Sequence, residues 1–96
     1  MTSLLKGTVA LVTGASSGIG YATAQMLAAQ GASVAIVARR QDRLEALVGQ
    51  IEAVGGSAFA VPADITDRDQ AHSAIQAVVE KFGHLDILIN NAGLML

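Results

Sequence analysis

Residues 9–20 read VALVTGASSGIG, and the fold turns on how this run is interpreted. Val9 to Val12 form an unbroken apolar, strand-forming stretch, and Thr13 leads into a turn punctuated by Gly14, Gly18 and Gly20. Beyond Gly20 the pattern becomes helical. Gly14 allows a sharp turn, Gly18 lets backbone approach a ligand with no Cβ in the way, and Gly20 lets the new helix pack closely on a sheet. A helix start aims free N–H groups and partial positive charge at such a turn, which suits a phosphate. Ser16 and Ser17 add hydroxyl donors. The spacing is G-x-x-x-G-x-G, not the G-x-G-x-x-G of the dinucleotide fingerprint, and no lysine follows the last glycine as a P-loop requires. Taken alone, the turn can equally be a tight connection that needs glycine for its backbone angles.

Outward from this turn the same alternation continues. Strand-like runs fall at residues 8–12, 33–37, 57–61 and 85–89. Between them lie helical periods: Ile19, Ala22, Thr23, Met26 and Leu27; then Leu44, Leu47, Val48 and Ile51; then Ala71, Ala74, Ile75, Val78, Val79 and Phe82. Asp42 with Glu45 and Thr66 with Asp69 stand at capping-box spacing, and Gly31 and Gly83 follow the first and third helices as C-terminal caps. The order is β-α-β-α-β-α-β. Because the strands are apolar without clean alternation, both sheet faces are expected to be covered. Right-handed crossovers then give a doubly wound, Rossmann-type parallel sheet in the order 3-2-1-4. Pro62 falls at the end of the third strand, where a missing N–H does little harm. No linker or second domain is evident, so residues 1–96 read as part of one α/β domain.

Composition removes several function classes. The chain has 96 residues, is 52% hydrophobic and only 3% aromatic, so its core must be built from Ala, Val, Ile and Leu. A net charge of −2 argues against nucleic-acid or anionic-membrane partners. With no cysteine there is no disulfide, thiolate nucleophile or Cys-based metal site, and no ligand cluster supports a metal. Neither a signal peptide nor an apolar run of bilayer-spanning length stands out. The expectation is a soluble, cytoplasmic protein.

The C-terminal ends of the strands carry the informative side chains. After the second strand come Ala38, Arg39 and Arg40. In a dinucleotide fold an acid there would accept from the ribose 2′-hydroxyl of NAD, whereas an arginine suits the 2′-phosphate of NADP. The competing reading is that both arginines merely cover the start of the next helix. Asp64 and Ile65 follow the third strand, and Asn90, Asn91, Ala92 and Gly93 follow the fourth. A loop Asp can accept from an adenine amino group, or can simply place charge at the next helix start. The Asn pair can serve a ribose or a turn.

Thr13-Gly14-x-x-x-Gly18-x-Gly20, Asp64-Ile65 and Asn90-Asn91-Ala92-Gly93, in this order, resemble the short-chain dehydrogenase/reductase family. The resemblance spans nearly the whole chain and implies a Rossmann-type fold binding a nicotinamide dinucleotide, NADP(H) in preference to NAD(H). It assigns Gly14 to Ile19, Ser16 and Ser17 included, to the phosphates, and Arg39 to the adenosine end with Arg40 beside it. Asp64 and Ile65 lie against adenine in this reading. Asn91, Ala92 and Gly93 line the nicotinamide-side ribose, and Asn90 helps hold the central strands. It also implies a small carbonyl or alcohol substrate and a homo-oligomeric intact protein.

The family's catalytic groups resemble a Ser followed by Tyr-x-x-x-Lys, and these are absent from the sequence. Its one tyrosine, Tyr21, has Gln25 four residues on, and its only lysines are Lys6 and Lys81. Tyr21 reads as a packing or surface residue, and His72 and His84 as neither catalytic nor metal-binding. The chain therefore reads as the cofactor half of an NADP(H)-dependent oxidoreductase, the alternative being a non-catalytic NADP-binding module. Alone, with its fourth strand at an edge, it is expected to be poorly stable or self-associating.

Overall fold

The computed structural model describes residues 4–14 and 18–90. The elements run β1 (Val9–Thr13), α1 (Gly18–Ala29), β2 (Ser33–Ala38), α2 (Gln41–Ala53), β3 (Ser57–Pro62), α3 (Arg68–Phe82) and β4 (Ile87–Asn90). The strands form one sheet in the order β3-β2-β1-β4. Every pairing is parallel, with Leu11 opposite Ala35 on one side and Leu88 on the other. The expected doubly wound topology is therefore present.

Alternation along β1 and β2 sends successive side chains to two cores. Ala10, Val12, Val34 and Ile36 meet Ala24 and Leu27 of α1 and Leu44, Leu47 and Ile51 of α2. Val9, Leu11, Ala35 and Val37 meet Ala74 and Val78 of α3 on the opposite face. Burial on both sides explains why β1 reads as an unbroken apolar run: all its residues are buried. Burying one such Leu, Ile or Val contributes about 1.5–3 kcal/mol. The two phenylalanines join β3 to α3, with the Phe59 and Phe82 rings edge-to-face at 6.2 Å between centroids.

The first helix departs from its expected face. Gly20, Ala24, Leu27 and Ala28 are buried, whereas Ile19 is 76% exposed and Met26 58% exposed. Gly20, Ala24 and Ala28 lie four residues apart, on one ridge of the helix, and their small side chains seat α1 close to the sheet. Weighting by bulky residues points to the wrong ridge.

The expected caps shift as well. Asp67, not Thr66, caps α3: its Oδ1 accepts from the backbone N–H of Asp69 at 2.9 Å and of Gln70 at 3.3 Å. The Thr66 hydroxyl is committed to Asp64 Oδ1, at 2.6 Å. Asp42 lies inside the first turn of α2, and the cap position is Arg40, with no side-chain cap bond. At the other end of α3, Gly83 adopts φ 92° and donates its N–H to Val79 O, a left-handed cap that a Cβ would strain.

At the opposite end of the sheet from the strand C-termini, Asp86 fastens β4 to β1. Its Oδ2 accepts the Val9 N–H at 2.8 Å, while its own N–H donates to Val9 O at 2.9 Å. His84 Nε2 lies 2.9 Å from the same carboxylate oxygen and 3.1 Å from Gly7 O. Both neighbours are acceptors, so Nε2 carries a proton.

Candidate functional site

Parallel strands place their C-terminal ends, and the loops that follow, along one sheet edge. There the structure forms a cavity of about 220 Å³ lined by Gly14, Val37, Ala38, Arg39, Ala63, Asp64, Ile65 and Thr66. A neighbouring cavity of about 270 Å³ continues past Arg39, Ala63 and Asp64 to Pro62 and Gln70. Two backbone bonds shape the floor: Gly14 N–H donates to Val37 O, and Ala63 N–H to Ala38 O, both at 2.9 Å. Gly14, which lines the cavity at the end of β1, has φ 66°, the left-handed conformation that favours glycine. Among the described residues, a Cβ built on Gly18 would meet no atom within 4 Å.

The walls differ in charge. Arg39 is exposed and, among the described residues, makes no ion pair; Arg40 pairs with Asp42 at 3.0 Å. Of the two arginines expected at the adenosine end, Arg39 lines the cavity, while Arg40 is turned to the first turn of α2. Opposite Arg39 stands Asp64. Its Oδ1 accepts from the Thr66 hydroxyl at 2.6 Å and the Thr66 N–H at 3.0 Å. These two bonds, with a smaller contribution from the positive charge of Arg39, hold its carboxyl below the ordinary aspartate range. Asp64 is therefore an ionised acceptor at neutral pH. Among the described residues nothing bonds to its Oδ2, which remains available for a ligand's donor.

The other candidate residues divide into four groups. Ile65 is half-buried, lines the cavity and packs on the core beneath α3. Gly20 is buried in α1, and Ile19 stands exposed at that helix's start. Asn90 faces Thr13 across β1 and β4, with the Thr13 hydroxyl 3.0 Å from Asn90 Oδ1, as expected of a residue holding the central strands. Ser16, Ser17, Asn91, Ala92 and Gly93 lie outside the described residues.

The sequence profile of the short chain dehydrogenases matches residues 8–96. The chain belongs to this family. It is similar to a short chain dehydrogenase of Pseudocercospora fijiensis, with 47% identity over 90 residues, 94% of this chain and 29% of that protein. Among solved structures it resembles a dehydrogenase/reductase from Sinorhizobium meliloti 1021, with TM-score 0.91 and 45% identity over 97% of this chain and 37% of the other. It also resembles a metagenomic short-chain oxidoreductase in complex with NADP, with TM-score 0.90 and 41% identity over 97% of this chain and 42% of the other. The chain thus spans well under half the length of these relatives.

Two residues at this short chain dehydrogenase cavity escape the sequence reading as site residues. Thr66 is read there as a helix cap and turns out to orient Asp64. Gln70 carries no signal beyond its place in the first turn of α3, yet its side chain reaches the cavity. Tyr21 packs partly against the α1–α2 core, and its hydroxyl donates to Gln50. Among the described residues no group of three metal-ligating side chains occurs, and no helix is long and apolar enough to cross a membrane.

Proposed function

We propose that the intact protein interconverts a carbonyl and an alcohol with NADP(H), and that residues 1–96 are its cofactor-binding half. The observation that carries this reading is the placement, in one cavity at the strand ends, of an arginine that makes no ion pair among the described residues opposite an ionised aspartate. The residues fit the dinucleotide. Arg39 supplies a cation for a 2′-phosphate, with about 1.5–3 kcal/mol for each charge-assisted hydrogen bond. Asp64 Oδ2 accepts from the adenine amino group, and Ile65 offers an apolar surface to the ring. The left-handed turn at Gly14 and, among the described residues, the lack of any atom near a Cβ on Gly18 suit a pyrophosphate held by the N–H groups of the helix start. The remaining assignments are Ser16 and Ser17 to the phosphates, Asn91, Ala92 and Gly93 to the second ribose, and Arg40 as a neighbouring charge.

Bound nicotinamide supplies the hydride; this chain's residues bind and orient its carrier. The similar metagenomic oxidoreductase in complex with NADP supports the choice of cofactor. Titrating the intact protein with NADPH and NADH tests it, together with Arg39→Ala. The preference for NADPH is expected to fall by about tenfold or more in the variant, while NADH affinity changes little. An unchanged preference would remove Arg39 from the 2′-phosphate. NADPH binding without oxidation in the presence of a panel of aldehydes and ketones would favour a non-catalytic binding module.

A further inference from the structure

Asp64 is the first residue after β3 whose amide has left the sheet. The ladder's last bond in this direction runs from Ala63 N–H to Ala38 O at 2.9 Å. The Asp64 N–H is instead taken by Gln70, whose Oε1 accepts it at 2.7 Å. The other end of the same amide, Nε2, lies 3.5 Å from Asp67 Oδ2. The two contacts agree on the amide's orientation, since only its oxygen accepts from an N–H and only its nitrogen donates to a carboxylate. Gln70 is itself anchored at the helix cap, donating its backbone N–H to Asp67 Oδ1 at 3.3 Å. The side chain of Gln70 thus ties the loop holding Asp64 to the start of α3, and it forms part of the wall that Arg39 and Asp64 share.

We propose that Gln70 is a positioning residue: it fixes the backbone of Asp64, and through it the aim of the carboxylate at the adenine end of the cofactor. Thr66 orients the carboxylate from one side, and Gln70 holds the peptide from which it projects. Its effect on cofactor affinity rests on the proposed function; its hold on the loop does not. Because it acts at the adenine end and not at the 2′-phosphate, Gln70 must influence NADPH and NADH alike.

The test uses the intact protein with Gln70→Met, close in size but without the acceptor, and Gln70→Glu, which keeps an acceptor for the Asp64 N–H. Amide hydrogen exchange at Asp64 is expected to quicken about three- to tenfold in Gln70→Met and to return most of the way in Gln70→Glu. Unchanged exchange in β1 verifies that both variants are folded. Gln70→Met should weaken NADPH and NADH by the same factor, about three- to tenfold, with kcat unchanged at saturating cofactor. Unchanged exchange at Asp64 in Gln70→Met, or equally fast exchange in Gln70→Glu, overturns the inference, as does a loss confined to NADPH. If the wild-type protein binds neither dinucleotide, the proposed function fails, while the exchange measurement still decides whether Gln70 holds the loop.

Discussion

Thr66 engages Asp64 Oδ1 through its hydroxyl and its N–H, and these bonds outweigh the field of Arg39 in lowering the carboxyl's pKa. A lowered native pKa means that the ionised form stabilises the loop above the unfolded aspartate's range, and that this contribution is lost as pH falls through the native value. Thr66→Val removes the hydroxyl and keeps the N–H. The Asp64 carboxyl should then titrate at higher pH, nearer the ordinary aspartate value, as followed by carboxyl ¹³C NMR. The acid loss of the acceptor should move to higher pH with it. An unshifted titration would mean that Thr66 does not set the ionisation of Asp64. The sequence marks Asp64 as a loop acid at a strand end, since its position alone carries that message. It does not reveal that Thr66 serves Asp64 while Asp67 caps the helix, because a hydroxyl beside two acids has two plausible acceptors and only the turn geometry selects one.

Among the elements, α1 shows where periodicity misleads. Strand order and both core faces follow from apolar runs long enough to need cover on each side, and the two Leu and one Ile buried on α2 fall where the helical period puts them. On α1 the period is carried by small residues, which are invisible to a reading that scores bulk. Ala24 is fully buried against the sheet, and Met26, two residues on, projects from the helix with 58% exposure. Ala24→Leu is therefore expected to lower the stability of the intact protein by about 1–3 kcal/mol through overpacking. Met26→Gln should stay within about 0.5 kcal/mol of wild type, as a surface change does. Denaturant unfolding measures both, and the reverse ranking would restore the bulky face as the buried one. The same seat bears on the proposed function, which assigns the pyrophosphate to the N–H groups at the start of α1: a lifted helix would carry those groups away from it.

At the scale of the whole molecule the sheet is unevenly protected. β1 is flanked by β2 and β4, and its residues are buried throughout. β4 pairs only with β1 among the described residues, and its residues alternate between half-buried and exposed, with Leu88 at 54% exposure. An apolar strand at the edge of a sheet is a template for pairing with another chain. Asp86 secures the start of β4 to β1, on the side away from the strand's outer edge. The 96 residues produced on their own are accordingly expected to self-associate through β4, with a sedimentation-velocity profile that broadens toward larger species as concentration rises. Leu88→Lys places a charge on that strand and should suppress the larger species, because a lysine on an edge strand opposes strand addition. In a longer chain whose further residues cover β4, the same substitution is expected to be destabilising. A wild-type segment that sediments as one monomeric species and melts cooperatively would show that β4 needs no further cover.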